Sequence, residues 1–290
     1  MKYLKIITLF SLLVFFSSCE DFFDQTTKID IPPHVPKLGV TALWLDEGND
    51  QLVMVFASVG ALEDESSSAV SDATVTLAEN GTQIATLVED NATKGFYRPS
   101  VPVELVAGQT YELTVSAPNF ETVKAEQVMP SKPTIKKAQF VNSVANSNNN
   151  GNGKLHLTIS DDEGRDFYLI GVESIDTSES YSSIYSSSGI AEDSGLDYSR
   201  VILKDETFPG ADLSQTFDAY ISSSTGTVDS VKVNLWSVTA DYYRFDRTYN
   251  AVQNADDNPF AEPVIMHRNF EKGFGVFALG NKRSMVIPVE

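Results

Sequence analysis

Cysteine is almost missing from this sequence. Among 290 residues only Cys19 carries a thiol, so no disulfide can close within the chain. Histidine is scarce as well: His34, His156 and His267 are the three present, and they form no His-Glu-x-x-His pair. Basic residues are outnumbered, 21 Lys and Arg against 40 Asp and Glu, for a formal charge of −19. Such a surface repels phosphate backbones and argues against a nucleic-acid partner. No Gly-x-Ser-x-Gly elbow or phosphate-cradling glycine loop occurs, so the sequence points away from an enzyme. No apolar run is long enough to span a bilayer: Ile6 to Phe16, eleven residues broken by Thr8 and Ser11, would cover about 16 Å as a helix against a hydrocarbon core of about 30 Å.

That run instead has the order of a cleaved signal peptide over residues 1–18, with Lys2 and Lys5 ahead of it and Ser17, Ser18 and Cys19 behind. Loss of the two lysines would take the formal charge to −21. Phe16-Ser17-Ser18-Cys19 resembles a bacterial lipobox, with Phe16 departing from the usual Leu. The resemblance implies acylation at Cys19, and a three-chain anchor there would be effectively permanent. Glu20, Asp21 and Asp24 resemble the acidic signal that sends lipoproteins of Bacteroidetes to the outer face of the outer membrane; a merely solvated tether is the alternative.

Residues 19–37, with Pro32, Pro33 and Pro36, form an acidic, Pro-rich tether. The rest predicts a mainly β protein of two β-sandwich-like domains, residues 38–130 and 131–290. Leu38, Val40, Ala42 and Trp44 alternate with Gly39, Thr41 and Leu43, and Leu52 to Val59 has strand length. Asn80-Gly81 between alternating segments signals a tight hairpin. Tyr111, Leu113 and Val115 alternate with Thr110, Glu112 and Thr114 as a half-buried antiparallel strand. Residues 107–115 with Asn119-Phe120-Glu121-Thr122 resemble immunoglobulin-like or carboxypeptidase-regulatory modules. Pro130 and Pro133 mark the boundary. Beyond it, Leu155, Leu157 and Ile159 alternate with His156 and Thr158, and Phe167 to Val172 reads as a buried strand. Tyr242, Phe245, Tyr249 and Val252 recur at helical spacing and predict one short helix near 240–253, started by Thr239 or Asp241, with its aromatic stripe packed on a sheet.

Segments of the second half resemble a family of Bacteroidetes lipoproteins, the domain of unknown function 4249. The likeness rests on Tyr242-Tyr243, on Asn258-Pro259-Phe260-Ala261-Glu262-Pro263, and on Asn269-Phe270-Glu271-Lys272-Gly273-Phe274-Gly275-Val276-Phe277. Asp162-Glu163-Gly164 and Phe167-Tyr168 add to it upstream. Asp257 and Arg268 stand where Gly and Ser are expected. Members are often encoded near TonB-dependent outer-membrane transporters, so the resemblance implies an accessory role in capture or uptake and transfers no catalytic residue.

For ligand capture the candidates are Tyr181, Tyr185 and Tyr198, which lie in residues 174–199, a stretch with ten serines and no clean period. A long irregular loop is expected there, and tyrosine offers a rigid apolar face with a hydroxyl; a mobile loop with incidental aromatics is the alternative. Asp161, Asp162, Glu163 and Asp166 could supply oxygen ligands to Ca²⁺, but the spacing is not that of an EF-hand, and acidic residues with Gly also form plain turns. Asp256 and Asp257 invite the same two readings. Trp44 and Trp236 are expected in cores. No cofactor is implied. The expected function is a non-catalytic, lipid-anchored outer-membrane accessory of a TonB-dependent transporter, or alternatively a structural or adhesive display module.

Overall fold

The final strand, Phe274–Pro288, organises the fold because two lobes share it. The computed structural model describes residues 33–46, 51–60, 68–143, 151–161, 166–175, 180–186, 189–205, 210–223, 227–256, 262 and 264–290. Residues 36–290 form one compact unit, mainly β with a single helix among the described residues.

The first lobe uses β1 (Leu38–Trp44), β2 (Val53–Ala57), β3 (Ser68–Ala69), β4 (Thr74–Glu79), β5 (Thr82–Glu89), β6 (Phe96–Pro99), β7 (Thr110–Ser116) and β8 (Val123–Val128). The second uses β9 (Thr134–Asn142), β10 (Gly151–Ser160), β11 (Phe167–Ser174), β12 (Ser180–Tyr185), β13 (Ala191–Asp193), β14 (Arg200–Lys204), β15 (Leu213–Ser223) and β16 (Ser230–Val238). Helix α1 (Ala240–Asp256) and β17 (Phe274–Pro288) complete the chain.

In the first lobe one sheet runs β17-β1-β2-β6-β5-β4-β7-β8, with β3 against β2. It wraps until β8 returns to the residues just before β17, where the Glu271 N–H donates to the Lys124 carbonyl at 2.9 Å. The wrap follows from the two-residue alternation: Val40, Val75, Leu77, Tyr111, Leu113 and Val115 all turn inward and are fully buried. Asn80 and Gly81 both take positive φ, 48° and 80°, as a two-residue hairpin turn requires. The core is not made by residues 38–130 alone. Phe270, Phe277 and Leu279 belong to it, and Phe277 meets Trp44 edge-on at 5.6 Å.

In the second lobe the sheet β12-β15-β10-β9 faces the sheet β13-β14-β11-β16-β17 across a core that includes Phe140, Leu155, Phe217, Ile170 and Leu235. β11 is buried on both faces, which explains its unbroken apolar run. Tyr168, Ile170 and Val172 point into this core, while Phe167 and Leu169 point the other way, beneath α1. The helix lays Tyr242 and Phe245 on Leu169, Ile202, Trp236 and Val238, so the lobe has three layers, sheet on sheet on helix.

β17 joins the lobes by changing partner half-way. Gly39 to Trp44 of β1 pair in parallel with Phe274 to Leu279, and β16 pairs antiparallel with Gly280 to Pro288. The Pro130–Pro133 link is tied to the same strand by Asn281 Nδ2 to the Pro130 carbonyl and Arg283 Nε to the Pro133 carbonyl. That link therefore separates two hydrophobic clusters but not two independent sheets.

Two local expectations change. The helix runs three residues beyond 253. The stretch 174–199 is not one irregular loop, since β12 and β13 lie within it. Its serines disguised β12, because serine contributes no apolar period even where, as at Ser183, it is fully buried.

Candidate ligand-binding cleft

On the face of the β14-β11-β16-β17 sheet that carries the helix, the register sets Arg200, Gly171, Asn234 and Ser284 in one row across four strands. Gly171 lies in that row beneath the Arg200 stem and the benzo edge of Trp236, which a β-carbon there would meet at 3.4 and 3.5 Å. Strand β12 closes one side, held against β11 by Ser182, whose hydroxyl donates to the Val172 carbonyl at 2.7 Å and accepts the Ser174 N–H. The result is a cleft of about 270 Å³ lined by Gly171, Glu173, Tyr181, Arg200, Asn234 and Trp236, with Ser180, Ser182 and Ser199 at its rim.

Its charges are paired in place. Arg200 Nε lies 2.9 Å from Asp197 Oδ2, and the guanidinium stacks 4.4 Å from the Trp236 centroid. Lys282 also approaches that ring, at 4.7 Å. Glu173 takes Lys232 Nζ on one oxygen and Asn234 Nδ2 on the other, both at 2.7 Å. Burial alone would raise its carboxyl, but Lys232, Lys282 and the Asn234 amide outweigh that effect and hold it below the ordinary glutamate value. Asn234 in turn accepts the Ser284 hydroxyl at 2.7 Å. The indole N–H of Trp236 is buried and finds no acceptor among the described residues.

The three tyrosines do not converge. Tyr181 lines the cleft, 58% exposed, with its ring 6.2 Å from that of Tyr220. Tyr185 accepts the Ser183 hydroxyl at 2.7 Å, and Tyr198 lies in the turn before β14; neither forms the cleft wall. That turn is fastened from beneath by Asp246 of α1, which is fully buried. Its carboxylate accepts the Ser194 hydroxyl at 2.5 Å and the backbone N–H groups of Gly195 and Leu196, both at 3.2 Å. Arg247 adds an ion pair to Glu192. The helix, the 189–200 turn and Arg200 are thus one fixed assembly.

Sequence inspection missed Glu173, Arg200 and Asn234. The alternation of Lys232, Asn234 and Trp236 with Val231, Val233 and Leu235 does give β16 a polar outer face. Only the register shows what stands beside it.

The other candidates settle into structural roles. His156 shares a hydrogen bond with Thr216 on an exposed strand face, at 2.8 Å. His267 meets Asp241 through Nε2 at 2.7 Å, and the hydroxyl near it, Thr248, accepts its backbone N–H rather than touching the ring. Asp161 accepts the Tyr168 hydroxyl at 2.8 Å and the Gly210 N–H at 3.0 Å. Burial raises its carboxyl pKa, and the buried Asp205 beside it adds to the shift. Asp162 and Glu163 lie outside the described residues, as do Cys19 and Asp257. Among the described residues no three His, Cys, Asp or Glu side chains stand close enough to hold a metal ion, and no helix is long and apolar enough to cross a membrane. A larger cleft of about 540 Å³ lies near Trp44, with Asp46, Glu104 and Lys132 also on its wall. Trp44 donates to the Leu52 carbonyl, and Gln51 clamps both backbone groups of Val103.

The family model described as domain of unknown function (DUF4249) matches residues 24–285. The chain belongs to that family. Among curated proteins, no sequence matches it.

Several described residues that carry the DUF4249 likeness hold the fold. Asn269 pairs with Phe277 as a strand would, accepting its N–H at 2.9 Å and donating to its carbonyl at 2.7 Å. The same amide donates to Asp241 at 3.1 Å, where Gln127 of β8 and His267 also converge. Burial would raise the Asp241 carboxyl, but these three partners hold it below the ordinary aspartate value. Phe167 stacks on Tyr243 at 4.9 Å. The segment from Asn258 to Pro263 is described only at Glu262.

Proposed function

We propose that this member of the DUF4249 family is a non-catalytic lipoprotein, anchored through Cys19 at the outer membrane, that captures a small polar ligand for a TonB-dependent transporter. The observation that supports capture is the cleft over Gly171. It is polar and rigidly backed, it carries one exposed aromatic ring, and its charged groups are paired rather than poised for proton transfer. Acylation at Cys19 would hold the protein near its transporter, so a modest interface would suffice.

Crosslinking in intact cells tests the partnership, and uptake measured at equal surface level tests the cleft. The expected result is a crosslinked transporter, with uptake reduced by Tyr181→Ala. Absence of a crosslinked transporter together with unchanged uptake would favour the display module. That second reading draws support from the family motif, whose described residues serve packing and turn geometry.

A further inference from the structure

We infer that the cleft beside Trp44 is a second binding site, and that it takes a small zwitterion, an amino acid or short peptide held by its ammonium and its carboxylate together. The site shares no residue with the Gly171 cleft, so it does not rest on the capture reading.

At about 540 Å³ the cleft falls within the range of roughly 300 to 1,000 Å³ typical of small-molecule sites. It lies where the lobes meet. Asp46 follows β1, Glu104 belongs to the segment after β6, Lys132 to the link before β9, and Asn281 to the middle of β17. Glu104 and Lys132 rise from pinned backbone. Gln51 holds Val103, next to Glu104, through both backbone groups at 2.6 and 2.7 Å. Pro130 and Pro133, on either side of Lys132, are tied to Asn281 and Arg283. A wall set in this way loses little freedom when a ligand arrives.

The polar groups are of both signs and are unengaged. Among the described residues no hydrogen bond or ion pair occupies the side chains of Asp46, Glu104 or Lys132, whereas in the Gly171 cleft Arg200 and Glu173 are already paired. Asn281 adds a buried oxygen. It is only 8% exposed, and its Nδ2 donates to the Pro130 carbonyl at 3.1 Å, which fixes the orientation of the amide. Its Oδ1 accepts no hydrogen bond from the described residues.

These groups match one kind of ligand. A primary ammonium has three N–H donors, and the two carboxylates with the Asn281 oxygen offer acceptors for all three. Lys132 supplies the charge that a carboxylate needs. A simple anion would meet Asp46 and Glu104, and a simple amine would leave Lys132 unanswered. Val103, Leu105 and Met129 pack on the core of the first lobe and also line the cleft, so an aliphatic side chain has apolar surface to cover.

Calorimetric titration of the intact protein in detergent tests this. The probes are L-leucine, L-methionine and L-alanyl-L-leucine, each beside analogues lacking the carboxylate or the amine. We expect at least one zwitterion to bind, and both of its single-charge analogues to bind about 10-fold or more weakly. Lys132→Ala should weaken the zwitterion and leave its amine analogue no weaker, while Asp46→Asn combined with Glu104→Gln should weaken both. The three side chains are exposed, and asparagine accepts the φ of 57° found at Asp46, so the variants keep the wild-type melting temperature, which is measured alongside. No binding by any zwitterion, or a single-charge analogue binding as tightly as its zwitterion, overturns the assignment. Zwitterion affinity indifferent to both variants overturns the site as well; if that binding is lost in Tyr181→Ala, the ligand belongs to the Gly171 cleft and the capture reading is untouched.

Discussion

A β-carbon on Gly275 would collide with the carbonyl oxygen of Val40 across the parallel β1–β17 pair. Gly275 also has φ of +92°, outside the usual range of residues with side chains. Both constraints fall where the first lobe receives its closing strand. Gly275→Ala should therefore cost about 3 kcal/mol or more. Gly81→Ala, with similar φ but open space around it, should cost only about 1 kcal/mol. Chemical denaturation of the two variants side by side checks the difference.

Asn269 makes three hydrogen bonds that no aliphatic residue can replace. Asn269→Leu should cost about 2 to 4 kcal/mol, because it leaves the Phe277 backbone and Asp241 each short of a partner. Thermal unfolding with the 280 nm and far-ultraviolet signals recorded together would show whether both lobes loosen at once.

Asp241 sets a pH limit. Its folded carboxyl is held below the ordinary value of 3.8, so near and below that pH the unfolded chain binds more protons than the folded one. Its contribution is complete above the unfolded value and is lost as pH falls through the folded value. Stability measured from pH 6 down to pH 2 should decline at the acid end. Asp241→Asn should be less stable at pH 6 and show a shallower decline.

Much of this was legible from residue order. Alternation gave β1, β4, β7 and β10, Asn-Gly gave the hairpin, and the three- and four-residue spacing of Tyr242, Phe245 and Tyr249 gave the helix. What local pattern could not give was partnership. Nothing near Leu38 says that its strand lies beside residue 274, and nothing near Gly171 says that Arg200 and Trp236 will flank it. The serines around Tyr181 hid a strand because its burial comes from position in the sheet, not from apolar side chains.

A fragment of residues 38–130 should fail to fold cooperatively, since it lacks Phe270, Phe277 and Leu279 from its core and the neighbour of β1. Its thermal melt should be broad and should sharpen when a peptide covering residues 264–280 is added. A sharp transition in the fragment alone would mean that the shared strand is dispensable to the first lobe.

Cys19→Ala should release the protein from membranes, as the sequence holds no second thiol to acylate. Detergent phase partitioning of wild type and variant decides this, and equal partitioning of the two would remove the anchor from the proposal.

The strand that closes the first lobe follows β8 by some 140 residues, so synthesis delivers it long after the rest of that lobe has emerged. Until it arrives, β1 lacks its parallel neighbour and the core lacks Phe277 and Leu279. Loss of β17 would therefore unmake a lobe whose other strands begin at Leu38, and damage late in the sequence is felt in the strands that come first.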